Sequence, residues 1–142
     1  MSQTTWSGPL ASGDINAGKT GGPNIGLALL SQTVLIDVGA TLVQNGTVYL
    51  PYKSQIVDIL VDVLTQYDSA TSATLSVGTS SAATTYASGV NVKTGIRVLP
   101  TFTAAQLAAM DDIGTNGTVV ATVTSVGQPT VGQVRVTYRY VQ

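Results

Sequence analysis

Short segments in which apolar and polar residues alternate most strongly constrain the fold of this chain. The last ten residues read "QVRVTYRYVQ", in which polar and apolar residues alternate strictly from Gln133 to Tyr140. A period of two is typical of a β-strand with one buried face. The pattern therefore predicts a buried face that consists of Val134, Val136, Tyr138 and Tyr140. The polar face is predicted to consist of Gln133, Arg135, Thr137 and Arg139.

The segment "SQIVDILVDVLTQYD" predicts a second strand of this kind, rich in β-branched residues. Its alternation places Asp58 and Asp62 on the solvent face, with Leu60 between them. The opposite face is predicted to be buried and consists of Val57, Ile59, Val61 and Val63.

Turn signals separate about eight such short strands, which is the pattern of a β-sandwich or jelly roll. Asn45-Gly46 is a strong tight-turn signal, and residues 78–89 form a polar Ser/Thr-rich connection. One short helix is predicted over residues 103–110, with Thr103 as its N-cap. The sequence thus predicts an all-β, jelly-roll-like single domain over residues 25–142, preceded by an extended Gly/Ser/Thr-rich arm over residues 1–24.

The charge content narrows the classes of partner. Only 9% of the residues are charged, against roughly 25% in ordinary soluble domains. Six Lys/Arg and seven Asp leave a net charge of −1, which gives little attraction for nucleic acid or acidic membranes. The N-terminus lacks signal-peptide features and no apolar run approaches the ~20 residues of a membrane helix, so we expect a soluble protein made in the cytoplasm.

Residues 13–20, "GDINAGKT", match the P-loop pattern G-x-x-x-x-G-K-[ST]. That motif requires a buried parallel strand before it and a helix directly after it. Here "WSGPLAS" precedes the match and "GGPNIG" follows it, and Gly21, Gly22 and Pro23 oppose a helix. We therefore predict no nucleotide site and no bound cofactor.

Histidine and cysteine are both absent, which removes the usual metal ligands and the commonest general base. Asp58 and Asp62 are predicted to lie roughly 13 Å apart at ~3.3 Å per residue, too far to act as a catalytic pair. Asp111 and Asp112 follow the helix and form either a solvated turn or part of a calcium site, of which the turn is favoured. Asp68 is predicted to cap a turn through its carboxylate.

Alternative interpretations stay open for several aromatic residues and for two arginines. Trp6 either packs on its own domain or docks on a partner, because tryptophan is enriched at interface hot spots. Arg135 and Arg139 are either solvated or paired with aspartates across strands. Four tyrosines either form a glycan-stacking patch or pack in the core and across strands, and packing is favoured for most of them: Tyr49, Tyr52, Tyr138 and Tyr140.

Three blocks of the sequence resemble the auxiliary capsid proteins of tailed bacteriophages, also called decoration or cement proteins. The blocks are "SQIVDILVDVLTQYDSATSATLSVGT", "YASGVNVKTGIRVLPTFTAAQLAAM" and "TVVATVTSVGQPTVGQVRVTYRYVQ", and the opening "WSGPLASGDI" is similar to the arm of such proteins. The resemblance covers about Tyr52 to Gln142. It implies a β-sandwich homotrimer on the outer surface of the virion that clamps neighbouring copies of the major capsid protein, with no catalytic residues.

The few apolar residues in the otherwise polar arm suggest how the protein binds the shell. We expect the arm around Trp6, Pro9 and Leu10 to dock on the capsid, where three arms per trimer raise the effective concentration. The alternative function is a glycan-binding β-sandwich of a phage fibre or tail. An enzyme is the third reading, and loss of ATP binding in Lys19→Ala would be its test.

Overall fold

Two four-stranded antiparallel sheets dominate the computed structural model, which describes residues 11–13 and 25–142. The first sheet has the strands β3 (Leu30–Asp37), β5 (Gln55–Thr65), β8 (Arg97–Val98) and β10 (Gln133–Val141). The second has β4 (Val43–Tyr49), β6 (Ser72–Gly78), β7 (Ala87–Asn91) and β9 (Thr118–Val126). A separate pair joins β1 (Ala11–Gly13) to β2 (Ile25–Leu27), and the helix α1 spans Ala104–Asp111.

The strand order is that of a jelly roll. The first sheet runs β3-β10-β5-β8 and the second runs β4-β9-β6-β7. Among these eight strands the first therefore pairs with the last, the second with the seventh, the third with the sixth and the fourth with the fifth. This nesting arises when one long antiparallel hairpin rolls into two sheets. The predicted fold class, an all-β sandwich with a short helix, is confirmed.

Alternating side chains from both sheets fill a single core between them. In β10 the predicted inward residues are all buried, and Tyr138 is fully so. In β5 the prediction holds for Ile59, Val61 and Val63 but is wrong for Val57, which is 51% exposed. Arg139 pairs with Asp58 and the next residue of β10 pairs with Ile56, so Val57 is the extra residue of a β-bulge. The bulge reverses the alternation and turns Ile56 inward instead.

Asn45-Gly46 does not form the predicted tight turn but lies inside β4. Gly46 faces the core, where a Cβ would come within 2.8 Å of both Val34 Cγ2 and Ile36 Cγ1 on the first sheet. The glycine is therefore used for close packing between the sheets rather than for a positive φ.

The loop between β6 and β7 covers part of the outer face of the second sheet. Ser81 Oγ donates to Asn45 Oδ1 at 3.0 Å, and the backbone N–H of Ala82 donates to Thr122 Oγ1 at 2.9 Å. Thr122 Oγ1 in turn donates to Asn45 Oδ1 at 2.7 Å, and Thr122 is fully buried. The predicted polar connection is thus part of the packed domain.

The helix begins where the sequence predicts. Thr103 is its N-cap and accepts from the backbone N–H of Gln106 at 3.2 Å, while the Gln106 side chain accepts from the backbone N–H of Thr103 at 2.9 Å. This reciprocal pair is a capping box. Gln106 also donates to the Thr84 carbonyl at 3.1 Å, which ties the helix to the loop before β7. No helix in the described part of the chain has the length and apolarity needed to cross a membrane.

Candidate interaction surface

The charged residues of the sandwich are concentrated on one of its sheets. The strands of the second sheet contain no charged residue. The outer face of the first sheet carries every arginine of the chain, namely Arg97, Arg135 and Arg139. Because polar and charged groups on a sheet are positioned by strand register, this face is where the chain can present fixed charges to a partner.

One cross-strand row holds three of these charges together. Arg135 of β10 lies opposite Asp62 of β5, which lies opposite Arg97 of β8. Arg97 Nε donates to Asp62 Oδ1 at 2.6 Å, and its Nη2 donates to Oδ2 at 3.3 Å. Arg135 donates to the same Oδ2 from Nη2 at 2.9 Å and from Nε at 3.3 Å. We call Arg135, Asp62 and Arg97 the arginine–aspartate row.

Asp62 is nearly buried although it lies on the outer face. The residue is only 7% exposed, because the two guanidinium groups cover its carboxylate from both sides. The prediction of a solvated aspartate was therefore wrong about its exposure. Hydrogen bonds from Arg97 first and Arg135 second hold the pKa of Asp62 below its ordinary value of 3.8. The carboxylate is thus ionised and its charge is over-compensated by two arginines.

The second ion pair of this face is looser. Arg139 Nη1 lies 3.8 Å from Asp58 Oδ2, and both side chains are partly exposed. The pairing of Arg135 and Arg139 with aspartates across strands confirms one of the two predicted alternatives. Asp58 and Asp62 bind different arginines, so they do not act as one pair of carboxylates.

Apolar side chains surround the arginine–aspartate row. Leu35 of β3 lies opposite Arg135 and is 52% exposed. Leu64 of β5 is 47% exposed, and Ile96, in the turn before β8, is 83% exposed. Leu64, Ile96 and the row line an open surface pocket of about 360 Å³. Exposed apolar side chains that lie beside polar groups on one face mark a candidate protein-binding surface.

The P-loop match has no suitable context among the described residues. Gly13, its first residue, ends a strand that pairs antiparallel with β2. Because β2 begins at Ile25, only residues 21–24 separate the match from a strand. The first element that the structure describes after the match is thus a strand, whereas a P-loop is followed by a helix whose N-terminus faces the phosphates. Residues 14–20, with Lys19, lie outside the described residues.

The remaining acidic candidates interact with nearby protein groups. Asp111 Oδ1 accepts from Gln55 Nε2 at 2.8 Å, and Asp112 Oδ1 accepts from the backbone N–H of Gly114 at 2.7 Å. Within residues 11–13 and 25–142, no three Asp, Glu, His or Cys side chains come together as a metal site would require. Asp68 accepts from the backbone N–H and the hydroxyl of Thr130, at 2.7 and 2.6 Å, so it caps a turn as predicted, but in a distant loop.

The four tyrosines of the suggested glycan patch separate into two groups. Tyr138 and Tyr140 are buried, which agrees with the favoured reading for that pair. Tyr49 and Tyr52 are exposed, near the start of β9: Tyr49 lies opposite Thr118, and the Tyr52 ring lies close to Gly117. A patch of all four tyrosines is therefore excluded.

Sequence reasoning missed Arg97 and the apolar residues beside it. Arg97 lies in a two-residue strand, too short for alternation to assign a face. The preceding Gly95 and the isolated Ile96 indicated an exposed turn, but nothing in the sequence indicated that Arg97 would pair with Asp62. Trp6, Pro9 and Leu10, the predicted capsid-binding residues, lie outside the described residues.

Comparisons of the chain with models of known protein families, with curated proteins and with solved structures found no match.

Proposed function

We propose that this chain is a structural virion protein that decorates and stabilises the capsid of a tailed bacteriophage. In this proposal it binds the outer surface of the shell formed by the major capsid protein, as a homotrimer, and has no enzymatic activity. The order and texture of the sequence blocks quoted above support the proposal, and the jelly-roll sandwich agrees with the fold that the resemblance implies.

One observation carries the proposal furthest. The outer face of the first sheet presents Leu35, Leu64 and Ile96 to solvent around charges that already neutralise one another in part. Apolar area gives affinity when it is covered, and an ion pair that is already formed adds less desolvation cost than separate charges. Such a face suits a protein that binds other proteins at high copy number.

Co-sedimentation with phage heads that lack this protein tests the proposal. We expect saturable binding at a ratio near one trimer per local three-fold position of the shell, and no binding to heads that already carry the protein. A folded chain that does not sediment with deficient heads at any ratio would refute the capsid function.

The predicted role of the arm stays a separate part of the proposal. A chain without residues 1–12 should fold and should bind heads more weakly, because multivalent contacts from three arms are lost. Unchanged head binding by this truncated chain would remove Trp6, Pro9 and Leu10 from the capsid contact and would leave the domain surface as the binding element.

The exposure of Tyr49 and Tyr52 favours a second candidate, recognition of glycans by a fibre or tail module. Exposed aromatic rings can stack on sugars. Here the Tyr52 ring lies close to Gly117, and the neighbouring Asn116 has a side-chain amide that can hydrogen-bond to a sugar hydroxyl. A glycan array with the wild-type chain and Tyr52→Ala separates the candidates. Sugar binding that Tyr52→Ala abolishes, together with no head binding, would favour the fibre or tail function.

A further inference from the structure

The pocket beside the arginine–aspartate row has more positive charge than negative charge. Its floor contains two guanidinium groups and one carboxylate, so the row has a net charge of +1 although the whole chain has −1. Both arginines donate hydrogen bonds to Asp62 through their Nε and Nη2 groups. Each guanidinium has five N–H donors, and the Nη1 groups take no part in the contacts with Asp62. The row therefore retains donors for a second anion.

The walls of the same pocket are apolar. Ile96 and Leu64 lie beside Arg97 and Arg135, and Ile96 is the most exposed large apolar side chain among the described residues. A free inorganic anion would satisfy the arginines but would leave these two side chains in water. A ligand that covers both kinds of group must therefore join an anionic group to an apolar group, and in a protein segment of ordinary side chains that anion is a carboxylate.

We propose that this pocket binds a surface segment of a partner protein in which an aspartate or glutamate is adjacent to an apolar side chain. The carboxylate accepts hydrogen bonds from the free edges of Arg97 and Arg135, and the apolar side chain covers Ile96 and Leu64. Identifying that partner as the capsid shell protein rests on the proposed function above.

Charge complementarity favours this partner over the same face of a second copy. The outer face as a whole balances its three arginines with three aspartates, which are Asp37, Asp58 and Asp62, but the lining of the pocket carries a charge of +1. Two such pockets meeting symmetrically would bring the positive charge of one copy against that of the other, which opposes association. An acidic segment instead neutralises the excess charge. The low pKa of Asp62 is consistent with this arrangement, because the aspartate stays ionised and keeps both arginines in place.

Head binding by matched variants tests the pocket. Ile96→Ser and Arg97→Gln should each weaken binding about tenfold or more, as expected for residues at the centre of an interface. Two controls should stay within about twofold of wild type. Val126→Ser removes an exposed apolar side chain from the second sheet, and Arg139→Gln removes the looser arginine of the same face. Arg97→Lys keeps the charge without the fork and should bind at an intermediate level.

A small probe tests the chemistry without heads. N-acetyl-Asp-Leu-amide should cause saturable NMR shifts at the backbone amides of Leu64, Ile96 and Arg97, and N-acetyl-Asn-Leu-amide should not. The shifts should weaken in 0.5 M NaCl, because salt screens the ion pair. Equal shifts with both probes, or shifts elsewhere on the domain, would overturn the proposal.

The two experiments separate this inference from the function on which it rests. If wild type binds heads and the pocket variants bind equally well, the pocket inference is wrong and the capsid function stands. If wild type does not bind heads but the aspartyl probe binds the pocket, the capsid function is wrong and the ligand chemistry stands. A change of oligomeric state in Ile96→Ser, measured by sedimentation velocity, would assign the pocket to contact with a second copy and overturn the inference.

Discussion

Replacement of Gly46 by alanine tests how closely the two sheets pack. Gly46 lies in β4 with its α-carbon facing the first sheet. The new methyl group would sit 2.8 Å from Val34 Cγ2 and from Ile36 Cγ1, and 3.3 Å from Ile36 Cδ1. Both neighbours are β-branched, so neither can rotate away freely at χ1. The methyl group must therefore push β3 and β4 apart or force an unfavourable rotamer.

The expected magnitude follows from two opposing effects. Overpacking a core costs about 1–3 kcal/mol, whereas the lower entropy of the unfolded alanine chain returns about 0.4–1 kcal/mol. We expect a net loss of about 1–2 kcal/mol in the free energy of unfolding. For a chain of 142 residues this lowers Tm by about 3–8 °C.

Equilibrium urea unfolding, followed by circular dichroism at one fixed protein concentration, measures this loss. Gly39→Ala is the matched control, because a Cβ at Gly39 would lie 3.6 Å from Gln44 Cγ, an ordinary contact. The control should be neutral or slightly stabilised. If Gly46→Ala unfolds at the same urea concentration as Gly39→Ala, then close approach of the sheets is not the reason for the glycine.

Three further perturbations have defined outcomes. Tyr138→Phe removes a buried hydroxyl that has no hydrogen-bond partner among the described residues, so it should raise stability by about 1 kcal/mol in urea unfolding. Tyr67→Phe, which removes a hydroxyl that donates to the Ile36 carbonyl at 3.5 Å, should lower stability, and a loss of stability in Tyr138→Phe would contradict the prediction. The pKa of Asp62 is lowered on folding, so its contribution to stability is present above the ordinary value of 3.8 and is lost as pH falls below it. Asp62→Asn should therefore lower the free energy of unfolding at pH 7 and reduce its fall at acid pH. An equal fall at acid pH in both proteins would refute this. Thr103→Ala removes the N-cap of α1 and should lower the free energy of unfolding by about 1 kcal/mol in thermal melting, whereas Thr103→Ser should be nearly neutral. Equal losses of stability in the two variants would show that the hydroxyl is not the stabilising group.

Alternation predicted the fold well because most of the long strands bury one face, as β4 and β10 do. The inward residues of β10 and the start of α1 follow from local rules that the packing does not change. The bulge at Val57 could not be predicted, because it arises from the mismatch between β5 and β10 rather than from either strand alone. Asn45-Gly46 misled for a related reason: a glycine that allows close packing has the same sequence signal as one that allows a turn.

The candidate surface was predictable only in part. Cross-strand pairing of Arg135 and Arg139 with aspartates follows from their shared outward phase, and the structure confirms it. The capture of one carboxylate by two arginines does not follow, because it depends on β8 lying beside β5. That neighbour is set by the rolled topology, in which strands more than 30 residues apart in sequence become adjacent.

The contrast between the two sheets explains why the surface forms where it does. In the second sheet the loop before β7 covers Thr122 on the outer face and hydrogen-bonds to Asn45, so part of that face is satisfied internally. The first sheet has no such cover among the described residues, and its row of charges is satisfied only within the plane of the sheet. Leu64 and Ile96 remain exposed above that plane at a free-energy cost of roughly 25 cal/mol per Å² of apolar surface. A partner that covers them therefore gains affinity from apolar burial, while the excess arginine charge determines which partners can approach.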